Sequence, residues 1–227
     1  MLIVKIAIDG PAGAGKSTIA RLVAKQLGLR YLDTGAMYRA VTLAALQRGV
    51  SCADEEALLR VATSMDLEIV FDSETKSNLI YLDGQDVTAQ IRQPRVNANV
   101  SLVSSHKKIR EYIVALQKEI ARQGRIVMDG RDIGTVVMPD ADWKIFLEAS
   151  VEERARRRQR ELKRNGHDVE LLELAEQIRQ RDHLDSTREV SPLRKADDAI
   201  EVDTTHLTIE QVVDKVLSIV KGDERDV

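Results

Sequence analysis

The chain has 227 residues, 43% hydrophobic, 31% charged and 3% aromatic, with a formal net charge of −3. The aliphatic content excludes a largely disordered chain, the few aromatic rings argue against stacking many nucleic-acid bases, and the acidic balance excludes a global basic field that would recruit DNA, RNA or membrane. A single cysteine, Cys52, excludes an internal disulfide and a cysteine-based zinc site.

Residues 2–8, LIVKIAI, form a β-rich apolar run ending at Asp9-Gly10. The run is too short for a signal-peptide core or a membrane span, so a soluble, cytoplasmic protein is expected. A glycine-rich stretch follows, then a helical pattern over residues 17–26 closed by Gly28. Residues 31–33 read as a short strand, and residues 36–48 and 54–64 as helices. The texture then changes. Residues 67–71 and 79–82 are strand-like, Asp83-Gly84 signals a hairpin, and Val87-Thr88 lie beyond it. Helical patterns at 93–104 and 106–123 come next, then strands at 126–129, 144–147 and 200–202. Further helices are read at 151–164, 168–187 and 208–221, and residues 222–227 as frayed.

Five apolar strands alternating with helices predict an α/β fold: a three-layer, doubly wound, five-stranded parallel sheet. We read one domain, with its core at about 1–62, 93–150 and 166–227. A small β-rich insert occupies about 63–92 and an Arg-rich helical lid about 151–165. Such sheets bind ligands beyond the carboxyl ends of their strands.

Residues 10–17, GPAGAGKS, fit G-x-x-x-x-G-K-[ST] and sit between a buried strand and a helix, where that motif must sit. Glycines let successive backbone N–H groups converge on phosphate oxygens, and the helix N-terminus adds partial positive charge. The expected nucleotide cradle is Gly10, Pro11, Ala12, Gly13, Ala14, Gly15, Lys16, Ser17 and Thr18. Lys16 can reach the outer phosphates and Ser17 can ligate Mg²⁺. The loop implies a nucleoside triphosphate and magnesium without specifying the reaction.

No N-K-x-D guanine reader is present, which argues against a GTPase. Arginines near strand and helix ends stand out instead: Arg39, Arg131, Arg181 and Arg188. One polyphosphate does not need all of these. A second phosphate in the same crevice would, and the planar guanidinium suits it. Arg181, Asp185 and Arg188 are spaced to share one helix face, which taken alone is also the ordinary pattern of a solvated salt-bridge ladder. Arg154, Arg157 and Arg158 share a face of the Arg-rich run at 151–164. That run reads either as a basic helix side or as a mobile lid that closes over ATP and excludes water.

Taken together, GPAGAGKST at 10–18, YLDTGAMYRA at 31–40, MDGRDIGTVVMPDA at 128–141, KIFLEAS at 144–150 and the RxxxDxxR spacing at 181–188 resemble the bacterial cytidylate kinase family, in that family's order. The β-rich insert is similar to the monophosphate-binding insert of its long form, so the resemblance spans the chain. It implies transfer of the ATP γ-phosphoryl group to CMP or dCMP. It places Thr34 near the base and Arg39 at the monophosphate. Ser101, Arg110 and Asp132 match positions that read cytosine, and Arg131 and Arg188 match phosphate ligands. Arg181 and Asp185 match ribose and phosphate contacts. The positions around Ser101 follow no rigid motif.

Cytosine chemistry agrees with this. A carboxylate accepts from the N4 amino group, and an arginine donates to N3 or O2, so Asp132 with Arg110 makes a complementary pair. Asp132 could equally cap a helix. In-line transfer needs no protein nucleophile, only positioning and charge neutralisation by Lys16, Mg²⁺ and the arginines Arg131, Arg154, Arg157, Arg158 and Arg188. Asp129 could hold a magnesium-bound water or be a structural carboxylate at a strand end.

His106, His167, His183 and His206 lack metal-ligand spacing and read as surface residues. Cys52 reads as bland, Trp143 as packing at a strand start, and Asp197-Asp198 as solvated. The basic loop at 192–195 is a candidate contact for the ATP base, which the sequence alone leaves open. Expected partners are ATP and CMP or dCMP, with no nucleic acid, no membrane and a monomeric chain. The rival readings are a kinase of the same fold acting on UMP, AMP, dephospho-coenzyme A or shikimate, a nucleotide-binding switch without turnover, and an RNA-binding protein using the Arg-rich helix.

Overall fold

A computed structural model describes residues 4–72, 77–164, 166 and 168–222. His167, the first two residues of the 2–8 run and most of the tail expected to fray lie outside them. Five strands form one parallel sheet in the order β2-β6-β1-β7-β8: β1 (Lys5–Asp9), β2 (Arg30–Asp33), β6 (Ile126–Gly130), β7 (Trp143–Glu148) and β8 (Ile200–Asp203). The expected doubly wound sheet is therefore present.

Alternation along β1 explains the layers. Ile6 and Ile8, both fully buried, pack with α1 (Lys16–Leu27) and α8 (Ile209–Lys221). Ala7 between them faces the opposite layer, with α2 (Thr34–Gln47), α4 (Pro94–Ser105) and α5 (Lys107–Arg122). Each fully buried isoleucine contributes about 1.5–3 kcal/mol. The last helix is started by a capping box between Thr208 and Gln211, an arrangement in which a cap is worth about 1 kcal/mol.

After α3 (Glu55–Ser64), strands β3 (Leu67–Asp72), β4 (Ser77–Leu82) and β5 (Gln85–Asp86) form a separate antiparallel sheet. The turn between β4 and β5 has Asp83 and Gly84 both at positive φ, 51° and 77°, the backbone that a two-residue hairpin needs. Its core-facing residues Ile80 and Leu82 join the same apolar cluster as α2. Asn78 ties this sheet to the larger one, since its side chain accepts from Asp33 N (2.8 Å) and donates to Tyr31 O (2.7 Å). A side-chain amide thus pairs the outer edge of β2.

Helices α6 (Val151–Arg164) and α7 (Leu171–Thr187) pack on each other through a small cluster of their own, Ala155 against Leu174, Ala175 and Ile178. Arg188 was expected on α7 but lies just past it, in extended conformation. Asp198, expected to be solvated, is exposed (67%), and it also receives two hydrogen bonds from the buried Lys144 ammonium, at 2.9 and 2.8 Å. Among the described residues no helix is long and apolar enough to cross a membrane.

Candidate active site

The register collects three carboxylates at one edge of the sheet. Asp9 pairs with Gly130, and Asp33 with Asp129. Strand order reverses around β1, whose chain neighbour β2 lies beyond β6 while β7 lies on its other side. This is where ligands bind in such sheets.

Directly after β1 the chain turns through Gly10 at φ 146°. A Cβ there would sit 2.0 Å from the Leu147 carbonyl oxygen, so only glycine fits. Gly13 and Gly15 also have positive φ, 80° and 91°, and Lys16 opens α1. The Lys16 ammonium donates to the Pro11 carbonyl at 2.8 Å. Burial lowers its proton affinity well below that of an ordinary lysine, Arg131 adds to the effect, and Asp129 opposes it. Ser17 donates to Asp129 Oδ2 (2.9 Å), Tyr31 donates to Oδ1 (2.7 Å), and Thr34 donates to the Asp129 carbonyl (2.6 Å). Burial pushes the Asp129 carboxyl up, with Asp33 adding to it and Lys16 opposing.

A cavity of about 180 Å³ extends from Lys16 and Ser17 to Arg110 and Asp132, the residue just ahead of the π-turn at Ile133–Val137. Its walls carry seven cations (Lys16, Arg39, Arg92, Arg110, Arg131, Arg181, Arg188) against four carboxylates (Asp33, Asp129, Asp132, Asp185). The imbalance favours a polyanion. Arg131 Nε donates to Asp185 Oδ2 at 2.8 Å. Burial would raise the Asp185 carboxyl, yet Arg131 and Arg181 together hold it below the usual range. Burial lowers the Arg181 guanidinium to about 10, with Arg131 adding to it. At the inner end Arg110, 1% exposed, donates to Asp132 Oδ2 at 2.5 Å. Arg188 lies 3.7 Å from the other oxygen of Asp132 and 3.8 Å from Asp185. Arg110 Nε, Arg181 Nε and Arg188 Nη2 are buried and find no hydrogen-bond partner among the described residues. Buried N–H groups left this way are costly, and an oxyanion or a base acceptor would satisfy them.

Of the expected site residues, Ala12, Gly13, Lys16, Ser17, Thr34, Arg39, Arg110, Asp129, Arg131, Asp132, Arg181, Asp185 and Arg188 line this one cavity. Asp185 is buried in ion pairs rather than solvated. Asp132 stands at the start of the π-turn but makes no capping bond with its side chain. Arg39 is bonded to Asn97. Ser101 is not in the lining; Val100 and Ser104 on the same helix are.

Nor do Arg154, Arg157 and Arg158 line the cavity. Arg154 is buried behind the cradle, donating to Ala149 O (2.9 Å) and Ala12 O (3.0 Å) and pairing with Asp182 (2.6 Å). Arg157 grips Thr204 at its hydroxyl (3.1 Å) and carbonyl (2.5 Å). Arg158 pairs with exposed Glu161. Residues that sequence reasoning missed include Arg92, which pairs with Asp33 at 2.8 Å, and Tyr38, whose ring lies 5.3 Å from the Arg110 guanidinium. Their only signal was proximity to segments already singled out.

Residues 6–222 match the family described as cytidylate kinase. The chain belongs to the cytidylate kinase family. It is 55% identical to a cytidylate kinase of Bacillus cereus (strain B4264) over 96% of each chain. It is 54% identical to one of Bacillus thuringiensis (strain Al Hakam), again over 96% of each. Among solved structures, an uncharacterized protein from Eubacterium ventriosum ATCC 27560 is 12% identical, covering 97% of this chain and 99% of that one, with a TM-score of 0.50. That likeness concerns the fold alone. The match to the cytidylate kinase family spans the cradle, the insert and the arginine cavity alike.

Proposed function

We propose that this chain transfers the γ-phosphoryl group of ATP to CMP or dCMP, giving ADP and CDP or dCDP. The observation that carries the reading is the buried Arg110–Asp132 pair, at 2.5 Å, in the same cavity as Lys16 and Ser17. Asp132 accepts from cytosine N4 and Arg110 donates to N3 or O2. Uracil would turn its O4 acceptor on the carboxylate and leave the site's own groups unpaired. Between the base reader and the cradle, Arg39, Arg131 and Arg188 hold the acceptor phosphate, with Arg181 and Asp185 at the pentose side.

The residues align an ionised acceptor oxygen with the γ-phosphorus, so no proton must be removed by a side chain. Lys16 and the arginines neutralise charge on the moving phosphoryl group without reorganising. Ser17 and Asp129 offer adjacent hard oxygens beside the cradle, which fits Mg²⁺; bound there with the nucleotide, the ion would offset charge on the outer phosphates. Arg154 acts by holding the cradle backbone through Ala12, and the Arg-rich helix α6 forms the lid over the nucleotide.

The test is ADP production from ATP and Mg²⁺ with CMP, dCMP, UMP, AMP and GMP offered separately, beside a control without acceptor. Turnover led by CMP and dCMP is expected. Turnover led by another monophosphate would remove the base assignment, and ADP release independent of acceptor would remove the second site.

A further inference from the structure

One buried carboxylate is used by neither the cradle nor the cavity. Asp9 ends β1, and its two oxygens accept from the backbone N–H groups of Ile133 (2.9 Å) and Gly134 (2.7 Å). Both residues are buried. These are the first N–H groups of the π-turn, which no carbonyl inside the turn can reach.

The residue normally placed to satisfy such groups is the one at the cap, and here it is an aspartate. Asp132 does not do so: its side chain makes no capping bond. Only its carbonyl serves the turn, accepting from Val136 (2.9 Å) and Val137 (3.2 Å). The Asp132 carboxylate faces Arg110 instead. The capping task has passed to a carboxylate 123 residues earlier in the chain, on the strand that leads into the phosphate cradle.

We propose that Asp9 is a positioning residue for base recognition: by capping the π-turn from β1, it frees the Asp132 carboxylate to stand opposite Arg110. The inference rests on the reading of Arg110 and Asp132 as the cytosine reader. Without the Asp9 carboxylate, two buried N–H groups would compete with Arg110 for Asp132. A carboxamide at position 9 can satisfy only one of them, because its amino group would face the other N–H. The arrangement is also tight. A Cβ on Gly134 would lie 3.4 Å from Asp9 Oδ2 and 3.2 Å from Lys144 Cδ.

The experiment is steady-state kinetics with CMP and with UMP for the parent chain, Asp9→Asn, Asp132→Asn and the double variant. Asp9→Asn should lower the CMP/UMP ratio of kcat/KM about tenfold, chiefly through KM for CMP. KM for ATP should move less than about threefold. In the Asp132→Asn background the same change should alter the ratio by less than about twofold, because the group it acts through is gone. A merely structural role would lower kcat equally for both acceptors and leave the ratio alone, and that result overturns the proposal. So would full additivity in the double variant. If Asp9→Asn does not fold, Asp9→Glu keeps the charge but shifts both carboxylate oxygens away from the two N–H groups. It should cost about threefold in the ratio, again only while Asp132 is present; an unchanged ratio overturns the proposal. A parent chain without preference for CMP removes the cytosine reading and this inference together. A preference that Asp9→Asn leaves intact removes this inference alone.

Discussion

The phosphate cradle and the arginine cavity meet at Lys16 yet are built in opposite ways. The cradle is one contiguous segment, and its work is done by backbone held at positive φ, with Arg154 and Thr204 supporting it from behind through carbonyl oxygens. The cavity is made of side chains from α2, α4, α5, the end of β6 and the two residues after it, α7 and the residue past it, held in register by ion pairs. Backbone gives a site for any polyphosphate. Side chains drawn from distant segments give a choice among acceptors. Specificity should therefore be separable from phosphoryl transfer.

The largest effect that sharpens this contrast comes from a pair of variants. Lys16→Ala should lower kcat about a thousandfold with every acceptor, because transition-state charge loses its partner. Asp132→Asn should lower kcat/KM for CMP about a hundredfold while KM for ATP moves little, because Arg110 and the base lose their match. Equal loss for CMP and UMP in Asp132→Asn would collapse the distinction.

A second prediction concerns protons. Burial, with Arg131 adding to it, lowers the Lys16 ammonium to about 7. A bound polyphosphate restores its charge, so nucleotide binding should take up a proton. Calorimetry at about pH 8 in buffers of different ionisation enthalpy should show uptake approaching about one proton, absent in Lys16→Ala. Proton release, or uptake unchanged in that variant, would contradict the account. The smallest effect separates two neighbours on α6. Arg157→Ala, which loses two bonds to Thr204, should cost about 1–2 kcal/mol in unfolding free energy. Arg158→Ala, whose partner Glu161 is exposed, should stay within about 0.5 kcal/mol.

The same contrast explains what could be read from the chain. The cradle was legible because its physics is local: glycines, a lysine and a serine between a strand and a helix. The sheet was legible because each of its strands is a short apolar run between helical patterns. The Arg110–Asp132 pair, 22 residues apart, was reached through family resemblance, since no local pattern joins the two. The sequence does not tell Ser101 from Ser104, because α4 has weak apolar periodicity and the two serines lie one turn apart; of the two, Ser104 lines the cavity. Arg188 was placed on α7 because its spacing continues the helical period, although the backbone leaves the helix one residue earlier. That Arg154 is the guanidinium buried against Ala12 was not legible, because nothing in an Arg-rich run tells one arginine from its neighbours. The role of Asp9 was out of reach, because it depends on which N–H groups a distant turn leaves unpaired.

One measurement bears directly on the claim that donor and acceptor share a single cleft. Adenosine and cytidine joined through a 5′,5′-pentaphosphate should bind with one-to-one stoichiometry, at least about a hundredfold more tightly than CMP, and exclude both ATP and CMP. Binding no tighter than ATP alone, with CMP still able to bind beside it, would place the two sites apart and contradict the account.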